Sequence, residues 1–162
     1  MVAPDGIAQS RSSPAQRAHA TIAIDAARGS DVTESRGRLG WTCLRITLSV
    51  LIAAHGWVRL LGGGIEPFGA WLDAQGLPFG PAIATAITAV EVLGTIAYAP
   101  GRFVWPLSLA YASIYTVGIV LVHAPAGWFV VGAGRNGAEY SVLLIVCLLC
   151  VGWQHAPRKQ VT

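Results

Sequence analysis

Charge is what this sequence has least of. Only 12% of its 162 residues are Asp, Glu, Lys or Arg, against about one quarter in a typical soluble domain. Hydrophobic residues make up 54% and the mean hydropathy is +0.56, so the composition indicates a membrane protein, with the lipid bilayer as its first partner. The net charge is a modest +3, and the basic residues form no dense stripe, which excludes a nucleic-acid partner. Cysteine is scarce too. An odd set, Cys43, Cys147 and Cys150, gives no disulfide framework. Residues 1–40 lack any aromatic residue and hold few large aliphatics. Such a segment buries too little to offset its ordering entropy, so a disordered cytoplasmic tail is expected there. It also lacks the apolar core of a signal peptide.

What is present is four apolar runs: 41–61, 82–99, 103–123 and 138–155. Each is near the ~20 residues that a ~30 Å hydrocarbon core requires. Backbone groups in lipid must be satisfied within the segment, so the runs read as helices. The fold expected is all-α, a membrane-spanning antiparallel four-helix bundle over 41–155, with a short cytoplasmic tail at 156–162. Gly and Pro mark the connections, and 62–81 reads as a loop. In the third connection, Trp128 and Phe129 suit the membrane interface.

Basic residues set the orientation. Arg36 and Arg38 precede the first run, Arg102 sits in the second connection, and Arg158 and Lys159 follow the last run. The first connection has no basic residue and the third only Arg135. The positive-inside rule then places both termini in the cytoplasm of a multi-pass protein, expected in the bacterial inner (plasma) membrane.

Topology gives each polar residue a depth. His55, Arg59, Glu91, His123 and Glu139 all fall in the outer half, with Arg135 and Asn136 at its edge. Helical phase groups Arg45, His55 and Arg59 within about 80° of one another. Thr88, Glu91, Thr95 and Tyr98 form one polar stripe, and Ser108, Tyr111 and Tyr115 another. A charge at the bilayer centre costs about 2.5–3.5 kcal/mol on insertion scales, so Glu91 needs a partner, and Arg59 is the natural one. Two readings follow: a buried pair that fixes helix register, or a functional pocket of His55, Arg59, Glu91, His123 and Glu139, with Arg45, Tyr111, Tyr115, Arg135 and Asn136 around it.

Other motifs carry less. Two histidines on facing helices suggest a haem or metal, but their Arg and Glu neighbours suit a quinone or an anion better, and no metal site is expected. Cys147 and Cys150 have redox-motif spacing, yet lie in an apolar helix where cysteine is a small packed residue. Arg45 is close enough to the boundary to reach the headgroups. The "GAGRNG" of 132–137 follows no strand and is no phosphate loop.

An early arginine in the first run, then "HGWVR" at 55–59, "AVEVLG" at 89–94 and "NGAEYSVLL" at 136–144 resemble the DoxX family of small four-helix membrane proteins over about 41–155. The family's His-Gly is followed three residues later by Lys or Arg, here Arg59. Its second-helix Glu matches Glu91, and its fourth-helix Glu matches Glu139. The chain departs from many members at "GWQHAPRK" (152–159), where they carry a Gly-Pro-Gly-Arg-like stretch, and in its residues 1–40. The resemblance implies a redox context, since the family takes its name from a subunit of a thiosulfate:quinone oxidoreductase. It implies quinone as the cofactor to expect and other membrane or redox subunits as partners. The expected function is therefore a membrane subunit of a redox-linked complex with a quinone or small-anion pocket. The alternative is a non-enzymatic scaffold or accessory subunit that stabilises a larger respiratory or photosynthetic-type complex.

Overall fold

The computed structural model describes residues 14–131 and 136–157. No strand occurs among them. Helix α1 runs Pro14–Leu61, α2 Ile65–Ala74, α3 Gly80–Tyr98 and α4 Val104–Ala126, and α5 Glu139–Gln154. Three stretches, Arg28–Leu61, Gly80–Tyr98 and Val104–Ala126, are long and apolar enough to cross a membrane. Their outer faces expose large apolar side chains such as Val58, Leu93 and Val120. So many exposed apolar side chains on long helices belong in lipid, not water. The chain is an all-helical, multi-pass membrane protein. The fourth run, expected as a span over 138–155, forms a helix of 16 residues, about 24 Å long.

Two compact units divide at Gly40. In the first, residues 14–40, expected to be disordered, are helical, and residues 1–13 lie outside the described residues. Every described side chain from Arg28 to Gly40 is exposed, so burial does not hold this helix. Alanine and arginine are good helix formers, and lengthening an existing helix needs no new nucleus. An exposed Glu34–Arg38 pair one turn apart, at 3.6 Å, adds little.

In the second unit, backbone capping sets the helix ends. The run 62–81, expected to be a loop, instead contains α2. Pro67 is tolerated in the first turn, and the helix ends in a Schellman motif: Gly76 takes φ +84°, its N–H donates to the Asp73 carbonyl, and the Leu77 N–H donates to Leu72. Asp73 also accepts from the Gly80 N–H at 2.8 Å, fastening α2 to the start of α3.

The core lies toward the α3–α4 turn. Leu48 and Ile52 of α1, Tyr98 of α3, Val104 and Tyr111 of α4, and Leu144, Leu148 and Val151 of α5 make one buried cluster. The predicted polar stripes face inward with it: Thr88, Glu91, Thr95, Tyr98, Ser108 and Tyr111 are all buried. Tyr98 and Ser108 hydroxyls bond at 2.9 Å, and the Tyr98 and Tyr111 rings meet edge to face.

Candidate functional site

Away from that core, α3 and α4 each break α-helical register. Val90–Gly94 and Ile119–His123 are π-turns, a widening often found at functional sites. Glu91 sits in the first and His123 in the second. In α4 the cause is near at hand. Pro125 has no N–H to give the Leu121 carbonyl, so the ladder cannot continue in register there. In α3 the Tyr111 hydroxyl donates to the Val90 carbonyl at 3.1 Å, at the first residue of the π-turn.

Glu91 is buried, its side chain 5% exposed. Arg59, near the end of α1, donates from Nη1 to Glu91 Oε2 at 2.5 Å and to Thr88 Oγ1 at 3.2 Å. Thr88 spends its own proton on the Ala84 carbonyl, at 2.7 Å, so its oxygen is free to accept. The guanidinium also lies 4.5 Å from the centre of the Phe68 ring on α2, a cation–π contact. Gly56 lets the pair form. A Cβ there would stand 2.7 Å from Glu91 Cβ and 3.0 Å from Val92 Cγ2. The glycine of "HGWVR" thus brings α1 against the turn that carries Glu91.

A cavity of about 430 Å³ opens beside this pair. His55, Arg59, Glu91, Tyr115 and His123 line it, with apolar walls of Ile83, Ile87, Leu121 and Val122 and a floor of Phe68, Trp71 and Leu72 from α2 and Leu77 beyond it. His123 Nδ1 lies 2.7 Å from the Asn136 carbonyl oxygen. A carbonyl only accepts, so Nδ1 carries a proton and Nε2 is left facing away from Asn136. The Tyr115 hydroxyl is buried with no hydrogen-bond partner among the described residues, an omission that costs about 1–3 kcal/mol. The lining is therefore mixed, with a few polar groups among mostly apolar walls. Among the described residues no group of three or more His, Cys, Asp or Glu is placed to hold a metal ion.

Of the residues expected from sequence, the cavity gathers His55, Arg59, Glu91, His123 and Tyr115. Glu139 is elsewhere. It opens α5, and its Oε1 accepts from the Val130 N–H at 3.0 Å, so the carboxylate closes its own loop instead of joining Arg59. Asn136 contributes its carbonyl, not its side chain. Tyr111 is buried beneath the cavity at the α3 π-turn. Arg135 lies outside the described residues. Arg45, expected to reach toward headgroups, turns inward. Its Nε donates to the Ala99 carbonyl at 3.2 Å, and its Nη1 lies 3.3 Å from His155 Nε2. His155 Nδ1 faces the Val151 carbonyl at 2.9 Å, so Arg45 ties the ends of α3 and α5 to the middle of α1. Sequence reasoning missed Thr88 as an Arg59 partner and the whole α2 floor. The signal for that floor was "QGLP" at 75–78, a helix-ending glycine followed by a proline.

Comparison with known proteins adds one match. No curated protein and no solved structure matches the chain. The DoxX family model matches residues 40–124, just over half the chain, which takes in His55, Gly56, Arg59, Glu91, Tyr115 and His123 and stops short of Glu139. On that match, and with its apolar spans, this membrane protein belongs to the DoxX family.

Proposed function

We propose that the chain is an integral membrane subunit of a redox-linked complex and that its cavity binds a quinone or a small anion. In this reading α1, α3, α4 and α5 form an antiparallel four-helix bundle in a bacterial inner membrane. Both termini are cytoplasmic, and the cavity lies in the outer half. The observation that carries the reading is the Arg59–Glu91 pair set in the wall of a mostly apolar cavity. Intramembrane ionisable groups are expensive and usually serve a site.

A quinone bound there supplies two-electron, two-proton chemistry, with electrons from a partner subunit. The chain's own residues do the rest. His123 holds or releases a proton at Nε2 while the Asn136 carbonyl fixes its ring. Arg59 holds the Glu91 carboxylate in place. The apolar walls keep water out. Quinone binding, or quinone reduction with a supplied donor, is to be compared in purified wild type, Glu91→Gln and Arg59→Ala. Both variants should bind more weakly; equal binding in all three removes the site assignment.

A second reading is a non-enzymatic accessory subunit of a larger respiratory or photosynthetic-type assembly. One observation favours it: Arg59 bonds Glu91 and Thr88 through Nη1 without any ligand. It expects Arg59→Ala to lower folding yield or assembly and to leave any turnover per folded molecule unchanged.

A further inference from the structure

We propose that the Tyr115 hydroxyl is the donor reserved for the ligand, and that the cavity takes a neutral amphiphile with a hydrogen-bond-accepting head, delivered sideways from the bilayer. This rests on the reading of the cavity as a ligand site and narrows it: a dissolved anion is excluded.

Three features lead there. The Tyr115 hydroxyl is the one buried side-chain polar atom without a partner among the described residues, and its residue lines the cavity. Buried donors are almost always bonded, so an acceptor on a bound molecule completes it. The cavity's charge is already balanced. Arg59 gives Nη1 to Glu91 and Thr88, and an anion approaching the guanidinium would meet the Glu91 carboxylate. Lastly, the cavity reaches the surface of α4. Ser113 and Val117 line it and are themselves exposed, on a helix long and apolar enough to span the membrane. An opening along such a helix faces acyl chains, and an apolar tail is the part of a ligand that would lie there.

The test uses the full chain in lipid nanodiscs, with quenching of Trp71, which lines the cavity. Trp71→Phe supplies the background from the other tryptophans. The probes are decyl-benzoquinone, tailless benzoquinone at equal concentration in the bilayer, and sulfate. Decyl-benzoquinone should quench Trp71 saturably, and Tyr115→Phe should weaken it roughly threefold to tenfold, the worth of one neutral hydrogen bond. The same variant should melt no lower than wild type, since it removes an unpartnered hydroxyl. Ile87→Phe, which fills part of the cavity without adding a fluorophore that confuses the readout, should weaken or abolish saturable quenching. Sulfate should not compete, and the tailless ring should bind more weakly. Unchanged affinity in Tyr115→Phe overturns the role of the hydroxyl and leaves the cavity a site. Competition by sulfate overturns the neutral head, and equal affinity of the tailless ring overturns delivery from the bilayer. If no quinone quenches Trp71 in wild type, the reading of the cavity itself falls.

Discussion

Removing the guanidinium from the cavity wall should cost far more than removing the carboxylate's charge. The two side chains are unequally buried, Glu91 at 5% exposed and Arg59 at 18%. Arg59→Met leaves Glu91 buried without its counter-ion, and breaking such a pair from one side costs about 3–5 kcal/mol. Glu91→Gln is gentler. The amide oxygen still accepts from Arg59, and the guanidinium keeps Thr88 and the Phe68 ring, so about 1–2 kcal/mol is lost. The double variant Arg59→Met with Glu91→Leu replaces the pair with apolar groups, and such exchanges are often neutral or stabilising. It should therefore recover most of what Arg59→Met lost. Reversible unfolding in mixed micelles, titrated with a denaturing detergent, measures all three. Equal losses in Arg59→Met and Glu91→Gln would refute the reasoning, as would a double variant no more stable than Arg59→Met.

Two further outcomes follow from the same geometry. Gly56→Ala puts a methyl 2.7 Å from Glu91 Cβ and should cost about 1–3 kcal/mol by overpacking, read in the same unfolding titration. Glu139→Gln keeps an acceptor for the Val130 N–H, so stability and quinone affinity should stay near wild type; a tenfold loss of affinity would return Glu139 to the cavity.

The spans were legible because lipid demands long apolar helices, and the polar stripes because a buried polar group must face another helix. Arg59 and Glu91 met for that reason. Glu139 did not join them, although topology gave it the right depth. Depth does not fix direction, and at the first turn of α5 the carboxylate accepts from the Val130 N–H instead. Arg45 was misjudged in the same way: proximity to the boundary suggested headgroups, but the Ala99 carbonyl and His155 offered better acceptors. Helix α2 was missed because its glycines and proline outweighed its end signals. The helix at residues 14–40 was missed because counting buried surface ignores how easily an existing helix lengthens. Neither π-turn has a periodicity that a sequence displays, and only Pro125 hints at one.

The π-turn at Pro125 permits a last test, because it separates the backbone's share in the cavity from that of the side chains. A π-turn inserts an extra residue per turn and re-aims everything beyond it. Without Pro125, an N–H at position 125 could bond the Leu121 carbonyl and restore α-helical register. His123 would then rotate by about one residue's step, roughly 100°, and leave both the cavity and the Asn136 carbonyl. Pro125→Ala should therefore be as stable as wild type or more so, by about 1 kcal/mol for the recovered bond, and yet lose saturable quinone quenching of Trp71. A variant that gains stability and keeps its affinity would mean that proline does not set the turn. The cavity would then be held open by the tie from Tyr111 to Val90 in α3, and Tyr111→Phe would be the variant that closes it.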